Sequence, residues 1–181
     1  MWAGLVRGAV AGAAATIPMS LTMAAVHSVL PRRQQYSYPP TEISRRAAEA
    51  VGVPARKESA AHRALTLGLH FAYGAAMGGL YNVLRDKPQQ HRLLKGTAWG
   101  LAVWSGSYLG LMPAVRLYPA AVHWPHGRNA MMISAHIVWG AALAALLPGA
   151  GRTRRARPAE PGREKDAAPA CRVELPRPPA L

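Results

Sequence analysis

Apolar residues along the chain are gathered into four long blocks without a charged side chain. The blocks are 8–31, 64–84, 96–115 and 129–151, and they hold 24, 21, 20 and 23 residues. A helix needs about 20 apolar residues to cross the hydrocarbon of a bilayer, at about 1.5 Å per residue. The pattern therefore predicts an all-α membrane protein with four transmembrane helices. The predicted spans are about 8–30, 64–84, 96–115 and 129–147.

One stretch of the sequence occurs twice. The segment HFAYGAAMGGL at 70–80 returns as HIVWGAALAAL at 136–146, with five of eleven positions identical. The first and third spans also begin alike, with Arg7-Gly8 and Lys95-Gly96. We therefore predict two parallel helical-hairpin repeats, related by an axis along the membrane normal.

Glycines recur at four-residue spacing within the spans. This spacing puts the small residues on one face of a helix, where a second helix can approach closely. The predicted packing glycines are Gly8, Gly12, Gly74, Gly78, Gly96, Gly100, Gly106 and Gly110.

The connectors and the tail have a different composition. Residues 41–52 form a short amphipathic pattern that ends at Gly52 and Pro54, which indicates a helix lying on the membrane surface or over the bundle. Asn129 is a predicted cap for the fourth span. Residues 1–151 thus form one membrane domain, and 152–181, rich in Pro, Ala, Arg and Glu, are predicted to be a disordered basic tail.

The formal net charge of +14 raises the question of nucleic-acid binding. Lys and Arg flank the spans, however, and this placement favours anchoring to anionic lipid headgroups, with no nucleic-acid partner. The N-terminus, the second loop and the tail hold 13 of the 22 basic residues, against 9 in the other two connectors. This bias predicts a multi-pass inner-membrane protein with both termini in the cytoplasm.

Histidines are the candidate functional residues. Under the predicted topology six of seven lie toward the outer side, and His70 and His136 occupy equivalent places in the two repeats. An ionisable group at membrane depth is a functional candidate. The candidates for proton sensing or ligand binding are His27, His70, His123, His126 and His136.

Three interpretations of these histidines stay open. His70 and His136 can bind a transition metal or haem between the helices, with further ligands from the remaining candidates. The cluster can instead relay protons or sense external pH, because imidazole changes charge between about pH 5 and 8. In the third interpretation the histidines only fix helix packing through hydrogen bonds.

Enzymatic motifs are not found in the sequence. It has no Gly-x-Ser-x-Gly elbow, phosphate loop or dinucleotide fingerprint, and its acidic residues lie outside the spans. We therefore expect a non-enzymatic protein. A small transporter or channel is the other alternative, since Pro18 and Pro113 break their spans, and four spans would then require a homo-oligomer.

Several of these segments resemble the YagU-like bacterial inner-membrane proteins, a family of uncharacterised function. The resemblance is carried by the segment from His70 to Tyr81, by Gly100 to Pro113 with its LGLMP ending, by Trp124, and by the HIVW segment that starts at His136. Members of that family carry an acidic residue just before the fourth-span histidine, and 129–135 here contains none. The resemblance implies a plasma-membrane location and no particular reaction.

Overall fold

The computed structural model describes residues 2–35, 37–53, 59–85 and 91–147. Within these ranges the chain is helical and contains no strand, which confirms the all-α prediction. The helices are α1 (Trp2–Val29), α2 (Pro39–Ala50), α3 (Ala60–Leu84), α4 (Arg92–Ser105), α5 (Met112–Ala114) and α6 (His126–Leu146), with a π-helical segment (Gly106–Leu111) joining α4 to α5. The predicted tail lies outside the described residues.

Helices α1 and α3 pack through glycines on both sides of the contact. A Cβ added at Gly8 would overlap the carbonyl oxygen of Gly78, and one added at Gly12 would overlap that of Gly74. Residue numbers in α1 rise from Gly8 to Gly12 while those of their partners in α3 fall from Gly78 to Gly74, so the two helices are antiparallel. Glycine is required here because the backbones themselves are in contact.

Helices α4 and α6 make the same kind of contact. A Cβ at Gly96 would overlap the carbonyl oxygen of Gly140, and one at Gly100 would overlap that of His136. Each helix pair is therefore held by backbone against backbone at two successive turns.

The shared sequence start of α1 and α4 aligns Gly8 with Gly96. The contacts in the structure correspond to an alignment that is shifted by one helical turn. With Gly74 matched to Gly140, the residue of α1 equivalent to Gly96 is Gly12 and not Gly8. The shared start of basic residue and glycine therefore does not mark equivalent positions. The position of the contact depends on where glycines allow the two backbones to touch, and Gly12 is the residue of α1 that lies against Gly74.

Helix α6 also packs against α1 and completes the core. The indole Nε1 of Trp139 donates a hydrogen bond of 3.1 Å to the carbonyl oxygen of Gly12, and Trp139 is buried. Around this bond lie small and flexible side chains, among them Ala15, Met19 and Leu143. Close approach at glycines and a buried tryptophan thus join three of the long helices.

Gly106 and Gly110 differ from the other predicted packing glycines. A Cβ added at either one meets no atom of the described residues within 4 Å, so both positions are open toward a further partner. Both lie in the π-helical segment and both are exposed.

Helix ends follow the predictions within a few residues. Gly52, at φ +77°, ends α2 as expected. Helix α6 begins at His126, three residues before the predicted cap Asn129, which lies inside the helix. The Asn129 amide donates to the carbonyl oxygen of Ala121 at 2.8 Å and so anchors the preceding connector.

Two helices, α1 and α6, are long and apolar enough to cross a membrane. Helix α3 has 25 residues, but His62, His70, Asn82 and four glycines lower its hydropathy. Helix α4 has 14 residues before the π-helical segment interrupts the α-helical hydrogen bonds. Membrane association therefore rests on α1 and α6, and the four-span arrangement with its repeat remains a prediction.

We predict that Gly12→Ala lowers the free energy of unfolding by about 1–3 kcal/mol, because the added methyl group overlaps the backbone of α3. The measurement is the denaturation midpoint of detergent-solubilised protein, followed by circular dichroism. Gly106→Ala is the matched control and should change stability by no more than about 0.5 kcal/mol. Equal midpoints for the two variants would contradict the glycine contact.

Candidate functional site

His70 and His136, predicted from the repeat as a pair, line the same cavity between the helices. His70 is half-buried on α3, and His136 is buried on α6 with 5 % of its surface exposed. Two histidines that are 66 positions apart in the sequence are thus brought to one site by the packing of the bundle.

The cavity has a volume of about 280 Å³. A cavity of about 150 Å³ can hold benzene, so this one accommodates a larger ring system or an ion with several side chains around it. Haem binding by His70 and His136 stays a prediction. The walls come from α1 to α6 and are mostly apolar: Thr16, Met19, Met23, Pro40, Ile43, Ser44, Ala47, Thr66, Leu69, His70, Tyr73, Gly74, Met77, Val103, Ser107, Tyr108, Met112, Met132, His136 and Trp139.

The imidazole of His136 is held in one orientation. Its Nδ1 lies 2.7 Å from the carbonyl oxygen of Met132, one turn earlier on the same helix. A carbonyl oxygen only accepts hydrogen bonds, so the neutral ring carries its proton on Nδ1 and keeps a lone pair on Nε2. The ring of Tyr108 packs edge-on against the imidazole, with 6.2 Å between ring centroids. The lone pair on Nε2 of His136 is therefore held in a fixed direction and is available to a ligand.

A hydroxyl pair crosses the cavity between α3 and the π-helical segment. Tyr73 Oη and Ser107 Oγ are 2.7 Å apart. Nearby, Trp99 Nε1 donates to the carbonyl oxygen of Met77 at 3.2 Å. π-helical turns inside α-helices frequently occur at functional sites, and this one places Ser107 and Tyr108 in the wall.

Helix α2 forms one wall of the cavity. Ser44 Oγ and Thr66 Oγ1 are 2.6 Å apart and join α2 to α3, while Pro40, Ile43 and Ala47 face the cavity. On its other side α2 carries ion pairs from Glu42 to Arg45 at 2.6 Å and to Arg46 at 3.0 Å. The predicted surface helix is thus attached to the bundle by a hydroxyl pair, with its charges facing outward.

The other candidate histidines lie away from the cavity. His27, at the end of α1, packs against the ring of Tyr38 with 4.6 Å between centroids. His123 and His126 are exposed at the start of α6. The structure therefore brings His70 and His136 together and leaves His27, His123 and His126 outside the site.

Sequence reasoning passed over His62, which is 3 % exposed in the first turn of α3. It also passed over Ser44, Tyr73 and Ser107 as cavity residues. Because each comes from a different helix, no spacing along one helix brings them together. Two signals were available: Tyr73 follows His70 by three residues and so shares its helical face, and the amphipathic pattern of α2 indicated a helix lying over the bundle.

Metal ligands of the usual kinds are few at this site. Across the described parts of the chain, no group of three or more His, Cys, Asp or Glu side chains lies close enough to hold a metal ion. The loop histidines that could have completed a set with His70 and His136 are not positioned to do so. Any ion at the cavity would need other donors.

A second cluster joins the two connectors at the start of α6. Arg128, which is 3 % exposed, donates to the hydroxyl of Tyr118, and its Cζ lies 4.0 Å from the centroid of the Trp124 ring. Tyr118 stacks on Trp124 with 5.4 Å between centroids. Burial raises the pKa of Tyr118 to about 12, although the Arg128 charge opposes the increase. These contacts hold the start of α6 against the connector that precedes it.

We predict that Glu42→Gln removes an acid-dependent part of the stability. The Arg45 guanidinium, followed by Arg46, lowers the pKa of Glu42 from 4.5 to about 2. Ionised Glu42 therefore stabilises the fold above pH 4.5, and this contribution is lost as the pH falls toward 2. With 19 % of its side chain exposed, solvent screening limits the effect to about 0.5–1 kcal/mol.

The measurement is the thermal midpoint as a function of pH. Glu49→Gln, which removes only the ion pair with Arg45, is the control and should keep the slope. An unchanged slope in Glu42→Gln would contradict the assignment.

Comparison with known proteins gives one family. No curated protein and no solved structure matches the chain. The family of proteins of unknown function DUF1440 matches residues 19–145, a range that contains the C-terminal part of α1, all of α2 to α5, the cavity residues of α6 and both histidines of the site. Since the match covers more than half of the sequence, the chain belongs to the DUF1440 family.

Proposed function

We propose that this chain is a four-span integral membrane protein that binds a small ligand in the cavity between its spans, without catalysing a reaction. The spans would be α1, α3, the continuous helical stretch from 92 to 114, and α6. The four uncharged blocks support this assignment, since their lengths match the hydrocarbon thickness. A glycine-rich helix of low hydropathy can cross a membrane when neighbouring helices cover part of its surface.

Two equivalent helical pairs support the proposed repeat. In both pairs the backbones touch at two turns, and the second helix carries the histidine four residues before its contact glycine. His70 precedes Gly74 as His136 precedes Gly140. An internal repeat of this kind places equivalent side chains near the shared axis, which is where ligand sites form.

The proposed location is the bacterial inner membrane, with both termini in the cytoplasm. The YagU-like resemblance supports the location, and the bias of basic residues supports the orientation. Lys and Arg at the helix ends would contact anionic headgroups. In a homo-oligomer, Gly106 and Gly110 are available for contact with a second copy, because none of the described residues covers them.

The observation that carries the binding proposal is the shared cavity of His70 and His136. Protein pockets that bind small ligands are mostly apolar, with a few placed polar groups that set specificity. Two imidazoles and a tyrosine–serine hydroxyl pair meet this description. Without an acidic residue among the lining side chains, binding is a better account than acid–base catalysis.

Topology can be tested with reporter fusions. We expect fusions after residues 90 and 181 to report the cytoplasmic side and a fusion after residue 60 to report the outer side. A soluble, detergent-free monomer would overturn the four-span proposal.

Access to the cavity can be tested with single cysteines in a Cys171→Ser background. We expect Ser107→Cys to react with a small cationic methanethiosulfonate roughly tenfold faster than Val10→Cys, because the proposed binding cavity admits water and small solutes, whereas a thiol that faces lipid forms little thiolate. Val10 is the matched control, since it is 65 % exposed on the outer face of α1 and would face lipid. Equal reaction rates would show that water and small solutes do not reach the cavity.

A further inference from the structure

Sulfur is concentrated around the cavity. Five of the seven methionines in the chain line it together with both imidazoles. The five are Met19, Met23, Met77, Met112 and Met132. A hydrophobic wall needs no sulfur, because leucine and alanine supply apolar surface in a helix without it. The gathering of thioethers at one place therefore points to a ligand that binds sulfur.

The spacing of these donors makes them converge from several helices. Met19 and Met23 are one turn apart on α1, so their side chains lie on the same face, and they are 6 % and 3 % exposed. Met132 and His136 have the same spacing on α6. Helix α1 thus contributes two thioether sulfurs to the cavity wall, and α6 contributes one thioether sulfur and one imidazole nitrogen.

His136 is oriented as a metal ligand commonly is. Metal-binding histidines usually donate their second ring N–H to a carbonyl or carboxylate, which fixes the tautomer and the direction of the free nitrogen. The 2.7 Å contact from Nδ1 to the Met132 carbonyl oxygen is such a bond. This observation is independent of the methionines.

We propose that the cavity is a binding site for monovalent copper, Cu(I), coordinated by thioethers of the lining methionines and by His70 and His136. The proposal rests on the cavity described under the proposed function and names its ligand. The thioethers supply the additional donors that a pair of histidines lacks.

The chemistry of the donors selects this ion. Thioether sulfur is soft and favours Cu(I), whereas Mg²⁺ and Ca²⁺ require oxygen donors. With no carboxylate or thiolate in the wall, the bound ion keeps its full charge, and a monovalent cation is less costly in an apolar site than Zn²⁺. Trp139, Tyr73 and Tyr108 also line the cavity, and aromatic faces attract a cation.

The test is a metal titration of the full-length Cys171→Ser protein in nanodiscs, because Cys171 would otherwise compete for copper. Cu(I), kept reduced with ascorbate, is titrated against a competing Cu(I) chelator, and Ag(I) serves as a probe that does not change oxidation state. We expect one equivalent of either ion, no displacement by Zn²⁺, and sulfur together with nitrogen neighbours in the X-ray absorption spectrum.

Isosteric variants separate coordination from folding. Met19→Leu with Met23→Leu keeps the side-chain volume and removes two thioethers, and we expect affinity for Ag(I) to fall roughly tenfold or more. Met131→Leu is the matched control: Met131 is buried next to Met132 but is not part of the cavity wall, so its replacement should leave affinity unchanged.

Two results would overturn the copper proposal. One is the absence of stoichiometric binding in protein whose Ser107→Cys variant still reacts as an accessible cavity residue. The other is equal affinity in the double leucine variant and in Met131→Leu. Either result would leave the cavity itself in place, whereas an unreactive Ser107→Cys would remove the cavity binding proposal together with its ligand.

Discussion

Contact between helix backbones at glycine is the constraint on which the rest of the structure depends. At Gly12 against Gly74, and at Gly96 against Gly140, a single added methyl group would overlap a carbonyl oxygen of the partner helix. Such proximity maximises dispersion contacts between helices and leaves no freedom in register. It fixes where the two histidine-bearing helices lie, and hence where His70 and His136 can be.

The cavity exists because some pairs of helices pack closely and others do not. Helix α1 packs closely against both α3 and α6, and α4 packs closely against α6. Side chains cross the gap between α3 and the helical stretch formed by α4 and the π-helical segment. Trp99 Nε1 donates to the Met77 carbonyl oxygen, and the hydroxyls of Tyr73 and Ser107 are hydrogen-bonded to each other. Where side chains and not backbones span the distance, space remains, and α2 together with flexible methionines encloses it.

Local pattern was sufficient for the elements and for part of the site. The uncharged blocks located the long helices, because each of these helices excludes charged residues over most of its length. The amphipathic pattern at 41–52 predicted α2, and both predicted ends lie within two residues of the observed ones. The repeated sequence segment singled out His70 and His136 as a pair, and both side chains line the cavity. Gly8, Gly12, Gly74, Gly78, Gly96 and Gly100 were likewise visible as packing faces.

Residue pattern alone was enough to locate the long helices and to identify the helical faces small enough for close contact. Tertiary structure alone decided the register, which matches Gly12 and not Gly8 to Gly96, and the outward direction of Gly106 and Gly110. It also decided that methionines from separate helices share a wall with both imidazoles. The physical reason is that spacing along one helix specifies a face, whereas the neighbour of that face depends on how the backbones of different helices fit together.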